Sequence, residues 1–309
     1  MADFHATQTD NTSVNDSIRS LWNEQTLLEA GYELVVDQFA TARQAGAGAR
    51  TVYFPRFALL SPTTTALTDS EDPAAQEITD TAVSITCEEF GRSATYNIMA
   101  ELQSGRVNTA VTQVIGTDMG ASMDKIAMAK LEAFSTTVIY PNAASAASNL
   151  TAGDVLDKTF AARLYNKLAR KNVPGVAGGM YAGIAHDDQL HDLRTDSGSG
   201  AWVEVSQYSN LTNVLQNEIG MFNGIRWFRS RNVTVTADSN GTVDSYKVNV
   251  LGMNALGKAV TKEPGIVISG PFDSLQRFYN VGWYGIFGYA VVDTNNMVQG
   301  ITASSVGAN

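Results

Sequence analysis

The run from Arg106 to Ser135 constrains this chain more than any other stretch. Apolar residues at Val107, Val111, Val114, Ile115, Met119, Met123, Ile126, Ala127, Leu131 and Phe134 recur at steps of three and four. That spacing sets one stripe of a single helix against a core. At a rise of 1.5 Å per residue the helix would be roughly 45 Å long, the width of a whole domain. Gly116 and Gly120 near its middle cost helix stability and mark close packing or a bend. A lysine-free flap from Arg50 to Arg92 precedes this spine and a large mixed region follows it. A spine with a flap on one side and a body on the other points to a building block more than to an enzyme.

Charge divides the chain. Residues 1–124 carry a net −11, whereas residues 125–309 carry +1. An acidic chain with no basic stripe excludes tight, sequence-specific DNA binding. Charged residues are only 17% of the total, which suits a subunit covered by its neighbours. Cys87 is the single cysteine, so there is no internal disulfide and no cysteine-based metal site. The polar, acidic stretch Met1–Asp16 is unlike a signal or transit peptide. The longest apolar run, Val281 to Val292, falls short of the ~20 residues that cross a bilayer. The expectation is a soluble protein, intracellular when made, without a membrane partner.

Residues 1–16 read as a mobile tail. From Ser17 to Arg43 a helical stripe appears (Ile18, Leu21, Trp22, Leu28, Tyr32, Val35, Val36, Phe39) and ends at Gly46 and Gly48. Trp22 belongs either to a core helix of its own subunit or to an arm docked on a neighbour. Thr51–Leu60 (TVYFPRFALL) reads as a strand with Pro55 at an edge or bulge, and Thr79–Phe90 as its mate. On that mate Val83, Ile85 and Cys87 share one face, and Ser84, Thr86 and Glu88 the other. The acidic loop between the two strands carries Asp69, Glu71, Asp72 and Glu77. A two-stranded flap is marginal alone, so it must lie against something else.

Beyond the spine, Tyr140–Leu150 is a small-residue linker, and a second helix is expected to begin at Thr151 with Asp154 in its first turn. Short strands are expected at Met180–Ala185, Ala201–Val205 and Ile225–Phe228, with a short helix over Thr212–Ile219. Two alternating runs around Ser239-Asn240-Gly241 predict a hairpin within Asn232–Val250. Gly270–Asn309 reads as packed, glycine- and aromatic-rich strands. The class is α+β.

Two patterns carry possible chemistry. Gly252-Met-Asn-Ala-Leu-Gly257-Lys258 has the spacing of a phosphate-cradling loop, but Ala259 stands where Ser or Thr must hold Mg²⁺. Pro264 also crowds out the helix that would complete an anion site. A plain surface turn is the preferred reading. In HDDQLHD, His186, His191 and three aspartates could hold a divalent cation, but a solvated polar loop is preferred because no helix fixes ligand spacing. No Gly-x-Ser-x-Gly elbow exists. No catalytic residue, cofactor-binding residue or metal ligand is assigned.

The order of tail, arm, flap, spine, mixed lobe and terminal strand block resembles the major capsid protein of tailed bacteriophages, with the Hong Kong 97-like fold. The strings LWNEQTLLEAGYE, TVYFPRFALLSPTTTALTDSEDP, NEIGMFNGIRWFRSRNV, VLGMNALGKAV and GPFDSLQRFYNVGWYGIFGYAVV carry that resemblance. They are similar to the branch found in the N-four group of coliphages, from about Ser17 onward. The resemblance implies an N-terminal arm (1–49), an extended loop over a neighbour (50–92), a peripheral domain (93–150 with 270–309) and an axial domain (151–269).

It further implies hexamers and pentamers closing into an icosahedral shell around double-stranded DNA, with non-specific DNA contact. Portal, scaffolding and possible decoration proteins are the implied partners, and the virion capsid, after assembly in host cytoplasm, is the implied location. If scaffolding is used, it is expected from another chain. Some members cross-link the flap through a lysine. Here the first lysine is Lys125, so no such bond is expected. Inter-subunit contact is then expected from Trp22, Arg50, Tyr53, Phe54, Arg56, Phe57, Asp69, Glu71, Asp72, Glu77 and Arg92, by packing and ion pairs that salt weakens. An encapsulin-like compartment enclosing protein cargo shares the fold and is the second reading. A Mg²⁺-nucleotide enzyme using Lys258 is the third.

Overall fold

In the computed structural model the described residues are 34–306, except 47–48, 58–59, 61, 65, 67–68, 70–71, 73–74, 105–106, 135, 143, 177, 197–202, 205–214, 216 and 238–242. Trp22, Glu71, residues 17–33 of the expected arm helix and the Ser239–Gly241 turn therefore lie outside them. The segment after residue 33 is not an α-helix. A 3-10 turn at Asp37–Phe39 leads into strand β1 (Ala40–Gln44), which pairs parallel to β12 (Leu256–Ser269). The helical expectation fails at Val35 and Val36 because their N–H groups donate to a side-chain carboxylate, Asp124.

The flap forms as expected. Strand β2 (Thr51–Phe57) pairs antiparallel with β3 (Asp80–Thr86) in unbroken register, with Pro55 opposite Ala82. The expected mate to Phe90 instead divides at Cys87. There β4 (Glu88–Asn97) leaves for a different sheet, and a short helix that sequence did not predict, α1 (Ile98–Ser104), follows it. The spine is α2 (Val107–Glu132). Ile115, Met123, Ala127 and Leu131 are buried as the stripe requires, whereas Val114 is 57% exposed.

The rest of the chain adds β5 (Val138–Ile139), α3 (Lys158–Ala169), β6 (Tyr181–Ala185), α4 (Asp187–Thr195), β7 (Val203–Glu204), β8 (Glu218–Phe222) and β9 (Ile225–Arg229). It ends with β10 (Val235–Thr236), β11 (Ser245–Leu251), β12, β13 (Phe278–Val291) and β14 (Met297–Thr302). The expected hairpin is present, with Val235 opposite Tyr246. Glu218 and Ile219 are strand, not helix, because β8 pairs with β9.

The second helix starts at Lys158, seven residues later than expected, where the Asp157 side chain caps it by accepting the Phe160 N–H at 2.7 Å. Asp154 is used differently. It closes a turn by accepting the Thr151 N–H and hydroxyl, both at 2.8 Å, and the Asn142 amide at 2.6 Å. Burial pushes this carboxyl up, but those hydrogen bonds outweigh it and hold the group below its usual range. A depressed folded pKa stabilises above the unfolded value of about 3.9, and that stability disappears as pH falls through the folded value. Asp154→Asn should therefore be less stable than the parent at pH 7. In thermal melts the gap should close at acid pH, below about 4.

Two sheets share one layer of core. The four-stranded sheet runs β1-β12-β13-β4, and the larger one runs β5-β14-β11-β6-β9-β8-β7 with β10 beside β11. Helix α2 packs on β13, β4, β12 and β11, and the core beneath it joins Met123, Met128 and Leu131 to Phe287, Trp283, Phe228 and Met297. On the other face of the larger sheet, Phe160, Leu164 and Leu168 of α3 and Leu190 and Leu193 of α4 cover Trp227, Val248 and Val298. Strand β12 thus belongs to the α2 sheet, and β14 to the larger one. Among the described residues no helix is long and apolar enough to cross a membrane.

Candidate assembly surfaces

The flap base is fastened to its own subunit. Val52, Phe54, Ile85 and Cys87 form a small third core with Ala259, Ile286, Ala290 and Val292, on the side of the four-stranded sheet away from α2. That approach needs a bare backbone at Gly288, where an added Cβ would lie 2.5 Å from the Thr86 carbonyl oxygen. Arg50 Nε donates to the Cys87 carbonyl at 3.0 Å, and Arg56 pairs with Asp293 at 2.9 Å. The Arg43 guanidinium sits 5.1 Å above the Phe54 ring. Arg92 reaches Asp118 on α2 at 2.8 Å, and the same carboxylate accepts the Trp283 indole N–H at 2.8 Å.

The expected contact residues therefore separate into two sets. Arg50, Phe54, Arg56 and Arg92 bind within the chain. Tyr53 and Phe57 point away from the body and are 63% and 67% exposed. Asp69, Asp72 and Glu77 are exposed beyond them, as are Leu60 and Ile78. The structure brings none of these acidic residues to a partner among the described residues.

A second constellation was missed from sequence. Asp124 of α2 is fully buried and accepts three donors at 2.8 Å: the Val35 and Val36 N–H groups and the Asn232 side-chain amide. Close by, Asp37 accepts from Lys258 Nζ at 2.9 Å and from the Tyr289 hydroxyl at 2.6 Å. Burial first, and then the Asp37 hydrogen bond, push the Tyr289 phenol far above its usual range, so it remains a donor. Together these groups clip the segment after residue 33 to α2, β12 and β13. An acid in the otherwise apolar stripe of the spine was the available signal.

Both chemical candidates resolve into structure. Lys258 lies inside β12, opposite Tyr289, so no helix follows the Gly252–Gly257 turn and the phosphate-loop geometry is missing. The HDDQLHD stretch is helix α4 rather than a loop. His186 caps it through Nδ1, which accepts the Asp188 N–H at 3.3 Å, while Gln189 Oε1 accepts the His186 N–H at 3.1 Å. Asp188 accepts the Tyr246 hydroxyl at 3.1 Å; burial, with this carboxylate second, pushes that phenol up to about 12. Asp192 accepts the Ser305 N–H and hydroxyl. No group of three or more metal-ligating side chains occurs among the described residues.

No family model matches the chain, and no curated protein matches it. Solved structures do match it, end to end. The capsid of Ralstonia phage GP4 superposes with a TM-score of 0.77 at 13% identity, over 98% of this chain and 97% of that one. The chain has the phage capsid fold, of the Hong Kong 97 type. The cyanophage Pam1 capsid matches over 99% of this chain and 100% of its own at TM-score 0.66 and 14% identity. The capsid of Helicobacter pylori bacteriophage KHP30 matches over 98% and 99% at TM-score 0.64 and 13% identity.

Proposed function

We propose that this chain is a major capsid protein, the structural subunit of an icosahedral shell enclosing double-stranded DNA. The observation that carries this is the flap. Its inner face is bound to its own subunit, while Tyr53, Phe57, Leu60 and Ile78 stand exposed with no cover. Exposed large apolar side chains grouped on one projecting element mark a surface made for a partner. In a one-component shell that partner is another copy. The matching solved structures bear the names of phage capsids, which favours the DNA-enclosing shell over a compartment for protein cargo.

On this reading residues 1–49 are the arm and 50–92 the extended loop. Residues 93–150 with 270–309 build the peripheral domain and 151–269 the axial one, with β12 contributing to the peripheral sheet and β14 to the axial sheet. The contacts are head-to-tail, which closes rings of six and five. Portal, scaffolding and decoration proteins are the accessory partners, and DNA is touched without sequence preference. The chain has no catalytic role and resides in the virion after assembly in host cytoplasm.

Sedimentation velocity of the expressed chain tests the reading. Capsomers or shells should sediment, and raising salt should shift material toward smaller species, because exposed ion pairs are screened. The flap holds no lysine. Intact particles boiled in detergent should therefore run as monomer, and a covalent ladder would contradict this account of the flap.

A further inference from the structure

The flap crosses onto the body beside a small pocket. Strand β1 runs parallel to β12, with Thr41 beside Gly257 and Arg43 beside Ala259. That side of β12 faces the flap: Ala259 belongs to the flap core, and a Cβ added at Gly257 would lie 3.2 Å from the Phe54 ring. Side chains alternate along a strand, so Thr41 and Arg43 share the flap side of β1, and Phe54 and Arg56 share the inner face of β2. These four residues, with Asn254 and Asp293, line a cavity of 270 Å³.

The groups around this cavity do not balance one another. Arg43 is charged at any ordinary pH. It donates to the Tyr53 carbonyl at 3.3 Å and reaches no carboxylate among the described residues. The Arg56 guanidinium, at 2.9 Å, and the Asn295 N–H, at 2.8 Å, both use Oδ1 of Asp293. Asp293 Oδ2 takes no donor among the described residues. The Asn254 side-chain oxygen accepts the Thr41 hydroxyl at 2.9 Å, which leaves the NH₂ group of that amide as a donor. The cavity is therefore lined by two guanidiniums and an amide from three separate segments, together with one acceptor oxygen.

We propose that this pocket binds a small tetrahedral oxyanion, inorganic phosphate, between Arg43 and Arg56. Donors arriving from three segments suit a tetrahedral ion better than a flat carboxylate, which a single guanidinium grips with two parallel bonds. The volume of 270 Å³ is below the roughly 300–1,000 Å³ of pockets that enclose drug-sized ligands, so the ion enters without a nucleoside. At neutral pH phosphate keeps an O–H, which donates to Asp293 Oδ2. Sulfate has none and sets its charge against that carboxylate. The site thus selects phosphate over sulfate. The bound ion ties β1 of the body to β2 of the flap and fixes the flap at its root.

Thermal melts of the purified chain, with hydrogen exchange as the local readout, test the proposal at matched ionic strength. Sulfate is the reference, because both salts are excluded from protein surfaces and stabilise in a general way. Phosphate at about 20 mM should melt the chain about 2 °C higher than sulfate does. It should also slow exchange at Thr51–Phe57. Arg43 is exposed, and Arg43→Gln should weaken phosphate binding at least about tenfold, the loss of one hydrogen bond to a charged group. Asp293→Asn keeps an oxygen for the Asn295 N–H but removes the negative charge, so sulfate should then bind as well as phosphate. Equal melting and exchange of the parent chain in the two salts would overturn the proposal. So would a phosphate effect that survives Arg43→Gln. If Arg43→Gln does not fold, Asp293→Asn decides, and an unchanged preference for phosphate would be the contradicting result. A larger shift with AMP than with phosphate would assign the pocket to a nucleotide and overturn the free-ion claim.

Discussion

Replacing Asp124 by alanine should destabilise the subunit by about 3 kcal/mol, since each hydrogen bond to a charged group contributes about 1.5–3 kcal/mol and two buried N–H groups would lose their acceptor. The carboxylate is fully buried and binds Val35, Val36 and Asn232 at once. Its loss releases the segment that leads into β1, so the effect should be local as well as global. Denaturant unfolding should show the lower midpoint. Hydrogen exchange should show Val35 and Val36 unprotected even where the spine stays protected. Asp124→Asn keeps one acceptor oxygen and should retain part of the stability. A midpoint unchanged in the alanine variant would mean that the arm segment is not held here.

Lys258→Met should cost about 2 kcal/mol, less than the roughly 3–5 kcal/mol of a fully buried ion pair because both partners keep some contact with water. The lysine and Asp37 side chains are 11% and 20% exposed. Among the described residues, removing the ammonium leaves the Asp37 carboxylate with the Tyr289 hydroxyl as its side-chain donor. The double variant with Asp37→Ala should lose less than the sum of the single losses, because the pair acts as a unit. The same residue separates two functions. If Lys258 is a strand anchor, Mg²⁺-nucleotide at saturation should leave the melting temperature of the parent chain unchanged. Nucleotide-dependent stabilisation, lost in Lys258→Met, would restore the enzyme reading.

What could be read from sequence was whatever leaves a periodic trace. The spine announced itself through ten apolar positions, and the flap through alternation on either side of an acidic loop; both are present, with Val114 of the stripe left in solvent. Local signals were weaker where a distant group decides the outcome. The arm pattern through Val35, Val36 and Phe39 looks helical, yet Asp124, 88 residues along the chain from Val36, takes the N–H groups instead. Lys258 fits a phosphate-loop spacing, but pairing with β13 extends the backbone through it. HDDQLHD lacks an apolar stripe of any length, and its helix depends on a histidine cap and on Ser305 from the far end of the chain. The change of sheet at Cys87 did leave a trace, a shift of the apolar phase from Val83, Ile85 and Cys87 to Phe90, Ala94 and Tyr96 across Glu88 and Glu89, but a two-residue break reads as easily as a bulge within one strand. The pinned half of the flap could not be told from the free half either. Arginines at 50 and 56 look alike in sequence to those that would reach a neighbour.

Electron microscopy of the purified chain, expressed alone and with its accompanying assembly proteins, is the measurement that bears most directly on the central claim. The account predicts closed shells, or rings of five and six subunits, with the flap of each subunit bridging to the next. A chain that remains a dispersed monomer under both conditions would contradict it.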